Sequence, residues 1–148
     1  MPARAAGAFR RTAIERSDQR VSWERSDQAF VAAGACHILA WVCRDSYPDP
    51  LIGLAAMLCG DERHVLHVYA TWNRWAFDHC GWNRESQLFA ANEDFEGRTV
   101  GRVEITVSLA EFCKTRIHRM PHQYWRDPLS RAREYVNQHV PPWMAAPL

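Results

Sequence analysis

Three residues between positions 36 and 78 have the types and the order that nucleophilic catalysis needs. Cys36 opens an apolar, alanine-rich stretch that suits a helix, and His67 and Asp78 follow in stretches that alternate like strands. A helix N-terminus carries unpaired N–H groups and partial positive charge, which lower the pKa of a thiol placed there. The predicted chemistry is attack by the Cys36 thiolate on an acyl carbon, with His67 as the base.

The relation between His67 and Asp78 depends on a predicted hairpin. With a two-residue loop, either Trp72-Asn73 or Asn73-Arg74, both residues point to the same face of the sheet. The first loop places them directly opposite, at Cβ separations of about 4.5–5.5 Å, and the second makes them diagonal neighbours at about 7–8 Å. In both registers the Asp78 carboxylate, expected at the rim of the sheet, can orient the imidazole.

This order resembles the papain-like superfamily of cysteine peptidases and transglutaminase-like hydrolases. The resemblance covers about Gln28 to Gly81 and rests on three motifs: Gly34-Ala35-Cys36-His37, His67-Val68-Tyr69 and Phe77-Asp78-His79-Cys80-Gly81.

The resemblance implies that Cys36 is the nucleophile, His67 the base and Asp78 the orienting group. It also implies an oxyanion-hole glutamine upstream of the cysteine, for which Gln28, eight residues before Cys36, is the candidate. The implied activity is a cysteine-dependent hydrolase or acyltransferase that acts on an amide or thioester of a peptide or protein substrate. No cofactor is expected. His37 is a competing base, although adjacent helical residues point about 100° apart.

A Cys/His metal-binding domain is an alternative interpretation. The pairs that offer ligands are His64-x-x-His67, Cys36-His37, His79-Cys80 and His118-x-x-x-His122. His64 and His67 point to opposite faces of a strand, so they cannot chelate one ion together. Pro121 interrupts the helix that would align His118 with His122. No metal ligand is therefore assigned.

A binding module without catalysis is the other alternative. The chain has seven tryptophans, and Trp72, Trp75 and Trp82 cluster around the predicted hairpin. Tryptophans at such a place can bind a partner, or they can stabilise the hairpin as cross-strand pairs without any ligand.

Composition excludes several classes of protein. The 148 residues suffice for one core, and the formal net charge of +1 lacks the basic excess of a nucleic-acid binder. No apolar run is long enough to cross a membrane, so no membrane partner is expected. Five cysteines without a close C-x-x-C pair indicate free thiols in a reducing compartment, and we predict a cytoplasmic location. Oligomeric state is left open.

The elements that must position these residues indicate an α+β fold. We expect a cysteine-bearing helix from Cys36, strands over 64–70, 75–79 and 102–107, and helices over 50–59, 83–91 and 129–139. A further helix begins at the capping box of Ser108. The predicted architecture is papain-like: an early helix packed on a small antiparallel sheet, followed by a C-terminal helix.

The first part of the chain is predicted to lie outside this domain. Glu15-Arg16-Ser17-Asp18-Gln19 recurs as Glu24-Arg25-Ser26-Asp27-Gln28, but two copies do not make a repeat protein. We interpret residues 1–22 as a flexible or weakly packed extension, and residues 23–148 as a single domain.

Overall fold

A five-stranded antiparallel sheet forms the centre of the structure, a computed structural model that describes residues 1–60 and 64–145. The strands are β1 (Gly53–Cys59), β2 (Val65–Trp72), β3 (Trp75–Asp78), β4 (Gly81–Arg84) and β5 (Val100–Glu104), in the order β4-β3-β2-β1-β5. The helices are α1 (Ala13–Ser17), α2 (Gln19–Trp23), α3 (Asp27–Ala32), α4 (Cys36–Ser46), α5 (Glu85–Glu96), α6 (Leu109–Arg116) and α7 (Pro128–Asn137). This arrangement confirms the predicted α+β class, with its early cysteine-bearing helix, antiparallel sheet and C-terminal helix.

An apolar cluster covers each face of the sheet, and successive residues of the central strands point alternately into one cluster or the other. Val68 and Phe77 join the cluster formed with α4 and α7, in which Ile38 is fully buried. Tyr69 and Ala76 join the smaller cluster on the opposite face. His67 and Asp78 have the strand parity of Tyr69 and Ala76, so they lie on that opposite face.

The predicted hairpin is confirmed, with the second of the two loops. Trp72 pairs with Trp75, which leaves Asn73-Arg74 as the turn, and both turn residues have positive φ angles of 46° and 66°. Two consecutive left-handed residues define a type I′ turn, whose twist matches that of the strands it joins. The odd pairing sum that places His67 and Asp78 on one face therefore holds.

The predicted helix over Pro50 to Cys59 is wrong, because Gly53–Cys59 is the central strand β1. β1 pairs with β2 on one side and β5 on the other, and most of its residues are buried. A short apolar run that is buried on both faces loses the alternation by which a strand is recognised. The apparent helix stop at Gly60, with φ +57°, belongs instead to the connection after β1.

Side-chain caps place several of the other helices. Ser108 accepts a hydrogen bond from the backbone N–H of Glu111 and begins α6, and Asp127 accepts one from Leu129 and begins α7. Residues 83–91, predicted as a helix, mostly belong to α5. The strand predicted over 102–107 is found at Val100–Glu104, two residues earlier. No helix among the described residues is both long and apolar enough to span a membrane.

The N-terminal residues correct the prediction of a weakly packed extension over residues 1–22. They contain a 3₁₀ turn at Ala6–Phe9 together with α1 and most of α2, and Ala5 and Ala6 are buried. The Arg25 guanidinium donates to the carbonyl of Phe9 at 2.5 Å, and the Phe9 ring packs edge-on against His79 at 5.3 Å. Because these contacts depend on partners distant in sequence, local polarity alone indicated a loose segment.

The turn residue Arg74 provides a test of the hairpin. A residue with a Cβ in the left-handed region costs about 1–2 kcal/mol, whereas glycine adopts it freely. We expect Arg74→Gly to raise the free energy of unfolding by about 0.5–1 kcal/mol, seen as a higher denaturant midpoint at an unchanged slope. Arg74→Ala removes the same guanidinium but keeps the Cβ, and should not stabilise. Equal effects of the two substitutions would contradict the strained-turn account.

Candidate active site

The centre of the site is a buried pair formed by His67 on β2 and Asp78 on β3. Nε2 of His67 lies 2.8 Å from Oδ2 of Asp78, and both side chains are almost fully buried. The pairing of β1 with β2 shifts between Met57 and Leu58, which leaves Leu66 as an extra residue directly before His67. Such a bulge re-aims the side chains beside it, and bulges are common next to functional sites.

Asp78 is held by more than the imidazole. Its Oδ1 accepts the backbone N–H of Cys80 at 2.8 Å, and Nδ1 of His79 lies 3.4 Å from Oδ2. The carboxylate is therefore buried and fixed in orientation, which corrects the prediction that it lies at the rim of the sheet. The two roles weighed for Asp78 from the sequence, orienting the imidazole and bracing the turn before Gly81, are fulfilled by different oxygens of one carboxylate.

The other ring nitrogen of His67, Nδ1, is the candidate partner of Cys36. Nδ1 has no hydrogen-bond partner among the described residues, whereas Nε2 is bonded to Asp78, so Nδ1 is the nitrogen available to the thiol. Cys36 is partly exposed, while the other four cysteines are buried. The candidate nucleophile is thus the one cysteine of the five that combines access to solvent with a histidine neighbour paired to a carboxylate.

The charges of this group favour a thiolate and an imidazolium. Burial raises the pKa of the Cys36 thiol, but its interactions with His37 and His67 outweigh burial and leave the pKa well below its usual value. Burial lowers the pKa of His67, yet its interactions with Asp78 and Cys36 raise it to about 10. By contrast, burial and the nearby Asp78 raise the pKa of Cys80 to about 11. Activation is therefore specific to Cys36 in this comparison.

His37 supplies a second imidazole to Cys36. Its Nε2 donates to the carbonyl of Arg119 at 2.8 Å, and its ring packs edge-on against His118 at 4.8 Å. Burial opposes charge on His37, but interactions with Cys113, Cys36 and the Arg119 carbonyl raise its pKa to about 9. Unlike His67, His37 lacks a carboxylate partner among the described residues.

The backbone before Cys36 sets the start of α4. Gly34 has φ +102°, a conformation that side chains with a Cβ rarely adopt, and its carbonyl accepts the hydroxyl of Tyr124. The N-cap residue Ala35 offers no side-chain acceptor to the first N–H groups of α4. Those groups form a donor set beside the sulfur, of the kind that stabilises an oxyanion.

Cys36 opens onto a cavity of about 410 Å³. The cavity lies between the start of α4, the N-terminal segment and the loop after α6. Its other lining residues include Gly7, Arg10, Arg11, His37, Leu66 and Arg119. Cys36 is therefore accessible from this cavity, whereas His67 and Asp78 are buried.

The structure does not bring Gln28 to the nucleophile. Its amide nitrogen lies 3.2 Å from the carbonyl of His79 and 2.6 Å from Sδ of Met1, and Gln28 does not line the cavity that holds Cys36. The oxyanion role predicted for Gln28 is therefore not supported by this geometry. The N–H groups at the start of α4 are better placed, because they adjoin the sulfur itself.

The histidines do form one group with the composition of a metal site, but not among the predicted pairs. Ligand atoms of His67, Asp78 and His79 all lie within 4.8 Å of one another. Two histidines and a carboxylate suit a divalent transition metal. In the same group, however, His67 and Asp78 already satisfy each other through a hydrogen bond. His118 follows the end of α6 and His122 lies in a 3₁₀ turn, so they share no helical face.

The tryptophans near the hairpin are largely occupied by one another. The Trp143 ring packs edge-on against Trp72 at 4.9 Å and against Trp82 at 5.4 Å. The Arg84 guanidinium covers Trp75, with 4.3 Å from its central carbon to the ring centroid. These contacts favour the structural role of the cluster over a docking surface.

Sequence reasoning missed the groups that approach Cys36 from distant parts of the chain. Arg10, Arg11, Arg119 and Tyr124 lie far from Cys36 in sequence and carry no motif, so no local signal could have identified them. His37 was identified only as a competing base, because a helical wheel does not show that its ring can turn back toward the neighbouring sulfur.

Comparisons with known proteins find no counterpart for this chain. No family model matches it, and neither the curated proteins nor the solved structures contain a match. We therefore argue its function from the geometry of the site.

Replacing Asp78 by asparagine tests whether the carboxylate sets the charge of the site. The asparagine amide would keep an acceptor for the Cys80 N–H but lose the negative charge, so burial would lower the pKa of His67 and the pKa of Cys36 would rise. We expect Asp78→Asn to move the pH profile of Cys36 alkylation to higher pH, and to lower the free energy of unfolding by about 1–3 kcal/mol.

Glu85→Gln is the matched control for Asp78→Asn. Glu85 accepts hydrogen bonds from Tyr69 and Arg102, and it does not line the cavity that holds Cys36. The control should lose some stability and leave the alkylation profile in place. An unchanged profile in Asp78→Asn, with only a lowered melting temperature, would leave Asp78 a purely structural role.

Proposed function

We propose that this protein is a cysteine-dependent hydrolase or acyltransferase that acts on an amide or thioester through Cys36, His67 and Asp78. The observation that carries the proposal is the combination of a partly exposed, activated thiol with a buried, carboxylate-paired imidazole. A structural cysteine in a protein core has no need of either feature. Pairs of groups with strongly shifted pKa values, located in a cavity, are typical of catalytic sites.

In the first half of the reaction, the Cys36 thiolate attacks the acyl carbon and forms a C–S bond. The carbonyl π electrons move to oxygen, and the resulting oxyanion accepts hydrogen bonds from the N–H groups at the start of α4. When the oxyanion collapses, the bond to the leaving group breaks. The leaving nitrogen or sulfur takes the proton from Nδ1 of His67, and a thioester on Cys36 remains.

In the second half, His67 is neutral and acts as the base. It removes a proton from water, or from an acceptor amine, whose oxygen or nitrogen attacks the thioester carbonyl. Collapse of the second oxyanion breaks the C–S bond and restores the Cys36 thiolate, with the proton again on His67. Asp78 holds the ring so that Nδ1 faces the sulfur in both halves, and stabilises the imidazolium by its charge.

The substrate is proposed to be a peptide or protein, because the cavity at Cys36 is open to solvent and continues along the surface beside the N-terminal segment. The proposed chemistry uses side chains and backbone alone and calls for no cofactor. The five cysteines are free, which fits the proposed cytoplasmic location, where thiols stay reduced.

Alkylation by iodoacetamide at pH 6 tests the activated thiol. We expect Cys36 to be labelled at pH 6 with a rate close to its rate at pH 8, because its thiolate persists well below the usual thiol pKa. In urea-unfolded protein the same cysteine should lose about tenfold or more in rate between pH 8 and pH 6. His67→Ala should shift the pH dependence toward that of an ordinary thiol, while His37 retains part of the effect. If the labelling rate of Cys36 in the native protein fell between pH 8 and pH 6 as steeply as in the unfolded chain, the proposal would be refuted.

Acyl transfer itself is tested with p-nitrophenyl acetate, a generic acyl donor. We expect a burst of nitrophenol and an acetyl group on Cys36, identified by mass spectrometry and released by hydroxylamine. Cys36→Ala should abolish the burst, and Cys80→Ala is the matched control that should retain it. Acetylation that depends on added zinc, or that is lost with a chelator, would contradict a mechanism based on side chains alone.

A further inference from the structure

Arginines concentrate in the cavity that opens on Cys36. Arg10, Arg11 and Arg119 line it, although the formal net charge of the whole chain is only +1. A second cavity of about 550 Å³ shares Arg10 and Arg11 and adds Arg16. The two cavities share several lining residues, so they adjoin and form one groove in which arginines are concentrated.

Among the described residues, none of these guanidinium groups forms an ion pair with an acidic side chain. Arg10 lies over the Phe95 ring at 5.4 Å, and Arg119 donates to the carbonyl of Arg16. The nearby Glu15 carboxylate is paired instead with Arg25, at 3.2 Å. Among the described residues, the lining of the two cavities includes one carboxylate, that of Glu96, which belongs to the second cavity.

The Arg11 guanidinium lies close to the backbone that precedes the nucleophile. A Cβ built on Gly34, two residues before Cys36, would lie 3.0 Å from Nη1 of Arg11. Burial lowers the pKa of Arg11 most, and the positive charge of Arg119 lowers it further; Tyr124 opposes this, and Arg25 and Arg16 make smaller contributions that lower the pKa. Positive charges that lie close together in a partly desolvated groove repel one another. An anion bound there would relieve this repulsion, so the groove favours an anionic ligand.

We propose that the acyl substrate carries an anionic group, a carboxylate or a phosphate, which Arg11 and Arg119 bind next to the bond that Cys36 attacks. A guanidinium presents planar, paired N–H donors that match both of these oxyanions. The proposal rests on the proposed function, because it assigns the substrate class of the same site. Binding of the anion also holds the acyl carbon near the sulfur, and such positioning contributes directly to rate.

Two alkylating reagents of nearly equal size separate this inference from the proposed function. Iodoacetamide is neutral and reports the thiolate alone, whereas iodoacetate carries a carboxylate and also reports the charge of the groove. We expect the ratio of the iodoacetate rate to the iodoacetamide rate at Cys36 to be about three- to tenfold higher in the native protein than in the urea-unfolded chain. The excess should decrease as ionic strength rises.

The Arg11→Gln and Arg119→Gln variants should each lower that ratio while the iodoacetamide rate stays within about twofold of the original. Arg11→Lys keeps the charge and should retain most of the preference. Arg133→Gln is the matched control with the same change in net charge. Arg133 lies in a cavity with Asp45 and Ser46 at the far end of α4, about 15 Å along the helix from Cys36.

The outcomes distinguish the two proposals. If the iodoacetamide labelling of Cys36 in the native protein shows no activated thiolate, the proposed function is refuted. An activated thiolate whose iodoacetate ratio equals that of the unfolded chain, or is the same in Arg11→Gln and Arg133→Gln, overturns the anionic substrate and leaves the proposed function standing. Circular dichroism and melting temperature identify a variant that fails to fold, and the ratio is then taken from Arg119→Gln and Arg11→Lys.

Protection experiments distinguish the two anions. Inorganic phosphate or succinate is added at constant ionic strength, and the iodoacetamide labelling of Cys36 is followed. Slower labelling with phosphate assigns a phosphate-bearing substrate, and slower labelling with succinate assigns a carboxylate. Loss of protection in Arg11→Gln ties either effect to the groove, whereas protection that persists in that variant counts against the proposal.

Discussion

The hydrogen bond between His67 and Asp78 is the interaction on which the rest of the site depends. Two ionisable side chains are almost fully buried, where an isolated charge would be strongly unfavourable. Paired, they satisfy each other, and the buried imidazole can hold a proton. The proton in turn makes a thiolate on Cys36 favourable, so charge on the sulfur follows from charge on a carboxylate that the sulfur does not contact.

The scaffold places these groups by two different devices. The type I′ turn at Asn73-Arg74 fixes the register of β2 and β3, and with it the face that His67 and Asp78 share. The left-handed Gly34 ends the preceding segment and starts α4 at Cys36, which presents the sulfur beside free N–H groups. Both devices are local backbone conformations, but packing of α4 against β2 is what brings them together.

The N-terminal residues belong to this arrangement as much as the sheet does. Phe9 covers His79 and, through it, the polar pair, while Arg10 and Arg11 extend the groove in front of Cys36. One segment thus has two physical effects: it removes water from the proton-bearing pair and adds positive charge where a substrate would enter. The proposed preference for an anionic acyl group follows from the second effect.

The sequence by itself determined which residues are capable of the chemistry and how the hairpin relates two of them, because strand parity and turn geometry are local rules. Ser108 and Asp127 likewise indicated where α6 and α7 begin, since a cap acts within one turn. Only the tertiary structure decided that Gly53–Cys59 is a strand, that Asp78 is buried, that Gln28 bonds to the His79 carbonyl and that residues 1–22 pack on the domain. Each of these features depends on burial or pairing between segments that are distant in the chain. The local sequence of a buried apolar run or of a polar segment does not indicate which distant segment it will pack against.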